Sequence, residues 1–249
     1  MSKAYEVALV VACANDNVIG YKNTLPWRVP SEMKHFQKLT MGRAVIAGAN
    51  TAKSIGPALK DRTCFVVADR DVGAFVEAGW IVFPTYAEAL AGAVAVASRM
   101  PRDLINVNAP PVVMVIGGEK LYREALPLAD YVFMSRIDLN VPMADSYFPE
   151  FDLKQFIVHS KTSYLPLFAE GTGEEVTPGW QYTEYQHVES FWGRVSYNAG
   201  MRPSFSTDWT NVMDRVNAVD MEGKPKPTPE DEQRLDATLN KIFGQEGNK

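Results

Sequence analysis

The sequence predicts an α/β fold in which helices cover both faces of a mostly parallel sheet. Short runs rich in Val and Ile, without polar alternation, recur along the chain, as expected of strands covered on both faces. These predicted strands are residues 7–14, 43–47, 64–68, 80–83, 112–116 and 131–137. Segments with helical spacing or helix-start residues separate many of them, which is typical of an open sheet with right-handed crossovers. The predicted helices are residues 31–40, 50–55, 86–98 and 119–126.

The chain after about residue 138 has a different pattern. Residues 155–164 and 180–197 alternate partly and are rich in Phe, Tyr, Val and Trp. We expect two long antiparallel strands, joined by a polar loop at 169–179, that close one end of the sheet. Residues 200–249 then form an extension, with two short amphipathic helices joined by a Pro-rich linker at 223–229, too small for a core of its own.

The composition of the 249 residues argues against several classes of protein. The net charge of -5 disfavours a nucleic-acid partner, because duplex binding depends on basic patches. Two cysteines and three histidines, far apart in the chain, favour neither a disulfide framework nor a metal site. The apolar run at 7–14 is too short to span a bilayer. We therefore expect a cytoplasmic protein, monomeric by default, with no membrane partner.

The segment 25–32 is the first of four groups of residues that can support chemistry. Two prolines and Trp27 stiffen this stretch, which leads into a predicted helix with Glu32 in its first turn. An acid at this position can simply be stabilised by the helix dipole. Alternatively, a carboxylate in an apolar cleft can bind a planar guanidinium-like edge through two hydrogen bonds, or tune protonation of a bound ring. The apolar residues that would line this cleft are Met33, Phe36, Ile55 and Leu59.

The other three groups are weaker indications of a ligand. At 45–51 a strand runs through Gly48 into a helix start, whose free amides attract phosphate. At 115–122 a glycine pair follows a buried strand and permits close approach of a ligand, although no Rossmann GxGxxG motif is present. In the segment 59–62, Arg62 can bind a carboxylate through two hydrogen bonds. Each group also has a purely structural interpretation.

In this order and spacing, the four groups resemble dihydrofolate reductase. The matching segments are VIGYKNTLPWRVPSEMKHF, VIAGANTAKSIG, LKDR, VMVIGGEKLY and SRIDLNVPMADSYFPEF. The resemblance implies a three-layer dihydrofolate-reductase-like catalytic domain at 1–199, with insertions near 98–111 and 165–179. It also implies NADPH-dependent reduction of 7,8-dihydrofolate to tetrahydrofolate in one-carbon and thymidylate metabolism. Antifolate-type small molecules would then be further ligands.

The resemblance also implies roles for individual residues. Glu32 would bind the pterin edge and assist protonation at N5, while Trp27 and Leu25 would lie in a mobile loop over the nicotinamide. The implied substrate-binding residues are Val10, Val11, Glu32, Met33, Phe36, Ile55, Leu59, Arg62, Ile116 and Ser135. Arg62 would bind the glutamate α-carboxylate, and Ser135 keeps a hydroxyl where the family usually has Thr.

The implied cofactor-binding residues surround three strand ends. They are Ala12, Ile19, Gly20, Gly48, Ala49, Asn50, Thr51, Ala68, Asp69, Arg70, Gly117, Gly118, Glu119, Lys120, Leu121 and Tyr122. Gly117 and Gly118 match a pair joined by a cis peptide. Ala49 replaces a common basic residue for the 2′-phosphate, and Asp69 adds an acid nearby, although Lys120 keeps one positive charge. Because an acid favours a ribose hydroxyl over a phosphate, we expect a weakened preference for NADPH over NADH.

Two alternatives remain open. One is the reductase domain of riboflavin biosynthesis, which uses NADPH on a ribosylated pyrimidine with the same scaffold, although Phe36 and Arg62 favour folate. The other is a structural or binding module, in which the extension at 200–249 mediates self-association or docking to a partner.

Overall fold

The computed structural model describes residues 4–99, 110–169, 173 and 175–190. Its strands, in chain order, are β1 (Glu6–Cys13), β2 (Val18–Gly20), β3 (Ala44–Gly48), β4 (Thr63–Val67), β5 (Ile81–Phe83), β6 (Val112–Val115), β7 (Tyr131–Ile137), β8 (Ser146–Tyr147), β9 (Phe156–Tyr164), β10 (Leu167–Phe168), β11 (Glu175–Thr177) and β12 (Trp180–His187). Its helices are α1 (Pro30–Thr40), α2 (Ala49–Ile55), α3 (Val72–Glu77), α4 (Tyr86–Ala97) and α5 (Glu119–Ala125). The predicted extension at 200–249 and most of the insertion near 98–111 lie outside the described residues.

Eight of these strands form one sheet, in the order β5-β4-β3-β6-β1-β7-β12-β9. The strands from β5 to β7 run parallel to their neighbours, whereas β12 runs antiparallel to both β7 and β9. The predicted sheet, mostly parallel with an antiparallel C-terminal pair, is therefore confirmed. Two small ladders pair β2 with β8 and β10 with β11.

The core lies on both faces of the sheet, because successive side chains of a strand point to opposite sides. On β1, Val7, Leu9 and Val11 belong to a core cluster that includes residues of α4 and α5. Ala8 and Val10 belong to a second cluster, which includes residues of α2 and α3 and is packed against by residues of α1. Helices therefore form one layer on each side of the sheet, which is the predicted arrangement.

A third, smaller cluster lies at the antiparallel end of the sheet. It consists of Val29, Ile137, Trp180 and Tyr182, and Trp27 packs against it. These residues come from the loop before α1 and from β7 and β12. The cluster therefore supports the segment that leads into α1.

The strand β12 ends earlier than the sequence predicts. The predicted strand at 180–197 stops at His187, and residues 188–190 are helical, so this prediction is wrong for 188–190. The N–H of His187 donates to the main-chain carbonyl of Asp130, and the Ser190 hydroxyl donates to the carboxylate of Asp130. The first of these bonds continues the register of β12 against β7, in which Gln186 lies opposite Tyr131, and the second holds the chain after His187 against Asp130. Residues 191–197 lie outside the described part.

Some short elements escape prediction because they span too few residues for a periodic pattern. The helix α3 has six residues and follows Asp71, which has a left-handed conformation with φ 57°. The loop predicted at 169–179 contains β11, which pairs with β10 to form a small hairpin in the insertion near 165–179. Likewise, the pairing of β2 with β8 joins segments that are distant in the sequence.

None of the described helices is long and apolar enough to cross a membrane. The same part of the chain holds no group of acidic, His or Cys side chains that would bind a metal ion. Cys13 and Cys64 are free and buried, and burial raises the pKa of each thiol to about 11. Both thiols are therefore protonated at neutral pH.

Candidate active site

A buried carboxylate stands at the start of α1. The helix begins with Pro30, whose fixed φ suits this position, and Glu32 in its first turn is 6% exposed. Burial raises the pKa of Glu32, and a hydrogen bond donated by the Ser135 hydroxyl to the carboxylate partly opposes this effect. Ser135 lies on β7 and is itself buried. A carboxyl group with a raised pKa holds a proton at higher pH than an exposed one, as acid–base chemistry requires.

The neighbours of Ser135 follow from the register of the sheet. Ser135 lies opposite Ala12 on β1 and opposite Tyr182 on β12, so these three residues share one face of the sheet. Val10 shares that face with Ala12, because the two are two positions apart. Val11 points to the opposite face and packs in the other core cluster. Only the main chain of Val11 is therefore available on the Glu32 side.

The remaining predicted substrate-binding side chains surround the same core cluster. Phe36, Ile55 and Leu59 are half-buried and pack against the cluster that contains Val10 and Ile116. Met33 is 44% exposed and Leu25 is 45% exposed. The structure therefore brings apolar side chains from α1 and from the end of α2 to the face that carries Glu32.

Arg62 is fixed at the far end of α1. Its Nε donates to the carbonyl of Lys60 at 2.9 Å, and its Nη1 donates to the Thr40 hydroxyl at 3.0 Å. Thr40 is fully buried and its hydroxyl donates to the carbonyl of Phe36. These contacts hold the guanidinium rigidly, which favours two-point recognition of a carboxylate.

Glycine turns form the other half of the site. The N–H of Gly48 donates to the carbonyl of Gly117 at 2.6 Å, and the peptide between Gly117 and Gly118 is cis. Gly117 has φ +99°, and a Cβ there would lie 2.8 Å from the ring of Tyr122. A Cβ on Gly118 would lie 3.1 Å from the Thr51 hydroxyl. The turn after β6 therefore has no room for a side chain at Gly117, whereas a Cβ on Gly48 would lie an ordinary 3.6 Å from its nearest neighbours.

Tyr122 links these turns to β1. Its hydroxyl donates to the carbonyl of Val10 at 2.6 Å, and its ring packs edge-on against Phe148 at 5.0 Å. Burial, together with the nearby Cys13 and Glu32, raises the pKa of Tyr122. The phenol is therefore neutral and serves as a hydrogen-bond donor.

The end of β4 lies beside the turn after β3, because Gly48 pairs with Val67. Ala68 is buried there, whereas Asp69 and Arg70 are exposed. Ala49 begins α2 directly after Gly48. The carboxyl ends of β4, β3 and β6 thus lie side by side, where open α/β sheets bind their ligands.

Glu119, a predicted cofactor-binding residue, is engaged within the protein. Its carboxylate accepts from Arg123 Nη2 at 2.8 Å and from the N–H of Tyr147 at 2.9 Å. Burial alone would raise the pKa of Glu119, but these hydrogen bonds outweigh it and lower the pKa. Its role is therefore to join α5 to β8. The next residue, Lys120, is exposed.

The loop before α1 begins at the β2–β8 ladder, which contains Ile19 and Gly20. Trp27 packs against the third cluster, at the antiparallel end of the sheet, and its buried Nε1 has no acceptor among the described residues. An indole N–H without an acceptor is available to a bound molecule or to water.

Sequence reasoning missed the residues of β12 that contact α1. Trp180 Nε1 donates to the Ser31 hydroxyl at 2.9 Å, and the rings of His35 and Tyr182 lie 4.2 Å apart. The aromatic content of β12 is visible in the sequence, but the face that these rings occupy depends on the strand register.

Comparison with known proteins agrees with this arrangement. The dihydrofolate reductase family matches residues 6–166. Dihydrofolate reductase type 3 of Salmonella typhimurium is 32% identical over 145 residues, covering 58% of this chain and 79% of that protein. Dihydrofolate reductase of Bacillus subtilis is 28% identical over 186 residues, covering 74% of this chain and 96% of that protein.

A solved structure gives the same result for the fold. Dihydrofolate reductase from Enterococcus faecalis, complexed with NADP(H) and RAB-propyl, matches with a TM-score of 0.58 and 23% identity, covering 74% of this chain and 96% of that one. The matches define an oxidoreductase with an α/β fold, as predicted. The chain belongs to the dihydrofolate reductase family.

Proposed function

We propose that this enzyme reduces 7,8-dihydrofolate to 5,6,7,8-tetrahydrofolate, with a hydride added at C6 and a proton at N5. The observation that carries the proposal is the buried carboxylate of Glu32, held by the Ser135 hydroxyl on the face lined by apolar side chains. The relatives named dihydrofolate reductase support the same reaction. Because the family match is to dihydrofolate reductase, we prefer folate to the pyrimidine substrate of riboflavin biosynthesis.

In this proposal Glu32 recognises the amino-pyrimidine edge of the pterin. Two carboxylate oxygens match two parallel N–H groups of such an edge. Burial raises the pKa of Glu32, so the carboxyl holds a proton at higher pH than an exposed one and would assist protonation at N5. At the other end of α1, Arg62 would bind the glutamate α-carboxylate through the N–H groups of Nη1 and Nη2 that do not bond to Lys60 or Thr40.

We infer that NADPH is the cofactor. The glycine turns support this inference, because a Cβ on Gly118 would fill the space beside Thr51, and the helix starts that follow Gly48 and Gly118 suit a pyrophosphate. NADPH, when bound, supplies the hydride, while the protein supplies orientation and electrostatics. Ala12 and Tyr122 would flank the nicotinamide, and Trp27 would exclude water from it.

Small molecules are the proposed partners of this enzyme. We propose that it works in the cytoplasm as a monomer, and its buried, protonated thiols suit a reducing compartment.

The extension at 200–249 is proposed as an appended element outside the catalytic domain. Removing residues 201–249 tests this assignment: we expect unchanged turnover and a mass in solution that falls only by the mass removed. A larger fall in mass or a loss of turnover would contradict it.

The reaction is tested by following NADPH absorbance after addition of dihydrofolate. We expect turnover by the wild type and a loss of about tenfold or more in Glu32→Gln near neutral pH. Glu77→Gln, at an exposed position on α3, is the matched control and should keep the wild-type rate. Equal rates in the wild type and Glu32→Gln would refute the role of Glu32. Turnover of the riboflavin-pathway pyrimidine instead of dihydrofolate would refute the substrate.

A further inference from the structure

The first turn of α1 is tied to β12 by one side-chain hydrogen bond. Val29 at the N-cap offers no side-chain cap to the helix. Trp180 Nε1 donates instead to the Ser31 hydroxyl at 2.9 Å, although the two residues are 149 positions apart in the sequence. Trp180 is 4% exposed whereas Ser31 is exposed, so this hydrogen bond is partly shielded from water.

The ring of Trp180 is itself held in place. Tyr164 of β9 stacks on it with ring centroids 4.0 Å apart and an angle of 6° between the planes. The ring centroid of His35 lies 5.6 Å from that of Trp180 and 4.2 Å from that of Tyr182. Because Ser31 and His35 are four positions apart, they share one face of α1. That face therefore rests on the two aromatic rings of β12.

The same strand also positions the partner of Glu32. Tyr182 lies opposite Ser135 in the β12–β7 ladder, and Trp180 lies opposite Ile137. β12 thus contacts the helix turn that carries Glu32 and the strand that carries Ser135. The separation between the Glu32 carboxylate and the Ser135 hydroxyl depends on both contacts.

We propose that Trp180, acting through Ser31, is a positioning residue that holds Glu32 against Ser135. The inference rests on the proposed function for its catalytic consequence, but it concerns a part of the protein that the reaction itself does not touch. If the hydrogen bond between Trp180 and Ser31 is removed, the first turn of α1 becomes more mobile. The hydrogen bond between Ser135 and Glu32 then weakens. That hydrogen bond lowers the pKa of Glu32, so its loss raises the pKa further.

The test compares Trp180→Phe, Ser31→Ala and Ser31→Thr in the full chain. The first two remove the hydrogen bond, and we expect each to lower kcat/KM for dihydrofolate about three- to tenfold, as for loss of one ordinary hydrogen bond. The pH midpoint of the rate should rise in both, while the Kd for NADPH stays unchanged. Ser31→Thr keeps the hydroxyl and should restore the wild-type profile. The double variant should be no worse than either single one, because the two changes remove the same contact.

Trp80→Phe is the matched control. Trp80 is also buried, at 2% exposed, and its Nε1 donates to the carbonyl of Gly56 at 2.8 Å. Its substitution should lower Tm as Trp180→Phe does, without moving the pH midpoint. A purely structural role of Trp180 predicts the same pattern for both tryptophan variants, and that result would overturn the inference.

An NMR titration of the Glu32 side-chain carboxyl separates this inference from the proposed function. It needs no turnover, so it reports on the hydrogen bond between Trp180 and Ser31 even if dihydrofolate is not the substrate. We expect the pKa of Glu32 to be higher in Ser31→Ala and Trp180→Phe than in the wild type. Equal pKa values of Glu32 in Ser31→Ala and the wild type would overturn the inference that Trp180 positions Glu32 through Ser31. Absence of turnover by the wild type, with the pKa raised in the variants, would overturn only the proposed function.

Discussion

The substrate side and the cofactor side of the candidate site are built by different means. On the substrate side, side chains act on one another, as where the Ser135 hydroxyl lowers the pKa of Glu32. On the cofactor side, main chain meets main chain, as where the N–H of Gly48 donates to the carbonyl of Gly117. A single substitution can remove or keep one side-chain contact, so its effect on the site is graded. At Gly117 a new Cβ would lie 2.8 Å from the ring of Tyr122, which leaves no room for one more carbon atom, so we expect the two sides to differ in what they tolerate.

The largest effect is expected from Gly117→Ala on the cofactor side. The new Cβ would lie 2.8 Å from the buried ring of Tyr122, at φ +99°. The clash and the left-handed conformation together should lower the free energy of unfolding by about 3 kcal/mol or more. NADPH affinity should fall with it. Urea denaturation and quenching of tryptophan fluorescence by NADPH measure the two effects.

Gly42→Ala is the control for backbone conformation alone. Gly42 has φ +66°, but a Cβ there meets nothing within 4 Å. We expect a loss of about 1–2 kcal/mol and no change in NADPH affinity. If the two variants lose the same stability, the contact with Tyr122 is not what excludes a side chain at Gly117.

The next effect is expected from Ser135→Ala on the substrate side. The Ser135 hydroxyl lowers the pKa of Glu32 against the larger effect of burial, so its removal should raise that pKa. The pH midpoint of kcat/KM should move upward, by an amount on the order of one pH unit for a hydrogen bond to a charged group. Ser135→Thr keeps the hydroxyl and should leave the midpoint unchanged. A downward movement in Ser135→Ala would contradict the assigned hydrogen bond.

A smaller effect, on stability, should also distinguish the substrate side. Burial raises the pKa of Glu32 above its ordinary value of 4.5, so the folded protein binds this proton more tightly than the unfolded chain. Stability associated with Glu32 is therefore present below pH 4.5 and is lost as the pH rises through the folded pKa. Glu32→Gln has no proton to lose, and its Tm at about pH 7–8 should exceed that of the wild type by roughly 2–4 °C.

The pH dependence of this difference is its check. Thermal melts of both proteins from about pH 4 to 8 should show the gain shrinking as the pH falls and Glu32 becomes protonated in both states. A gain that stays constant with pH would mean that burial of charge is not its cause. A lower Tm at all pH values would mean that the carboxylate stabilises the fold.

The difference between the two sides also explains what the sequence can predict. Glu32 is predictable because Pro30 and the apolar residues after it mark the start of an amphipathic helix, which is a local pattern. The turn at Gly117 and Gly118 is predictable because a buried strand ends directly before it. Both depend on residues that are neighbours in the chain.

Contacts between distant segments are not predictable in this way. Whether Trp180 reaches Ser31 depends on the register of β12 against β7, and a shift of one residue would turn Trp180 and Tyr182 to the opposite face. The chain after His187 is likewise held by a distant residue, because the Ser190 hydroxyl donates to the carboxylate of Asp130. Periodicity continues past that point in the sequence, so it overestimates the strand.

The smallest effect concerns the choice between NADPH and NADH on the cofactor side. Ala49 begins α2 without a positive charge, and the exposed Asp69 follows the neighbouring strand. An acid at a strand end repels a phosphate but accepts a hydrogen bond from a ribose hydroxyl. We therefore expect the ratio of kcat/KM for NADPH over NADH to be less than about a thousandfold, which corresponds to roughly 4 kcal/mol.

Two substitutions make this expectation sharper. Ala49→Arg should tighten NADPH binding by about tenfold, through one charge-assisted contact, while NADH binding stays unchanged and serves as the internal control. Asp69→Asn should strengthen NADPH binding by a smaller factor, because it removes repulsion without adding a donor of positive charge. A ratio above a thousandfold in the wild type would contradict the expectation. It would also mean that Lys120 and Arg70 bind the phosphate well enough to overcome Asp69, and that side chains, besides main chain, control the cofactor side.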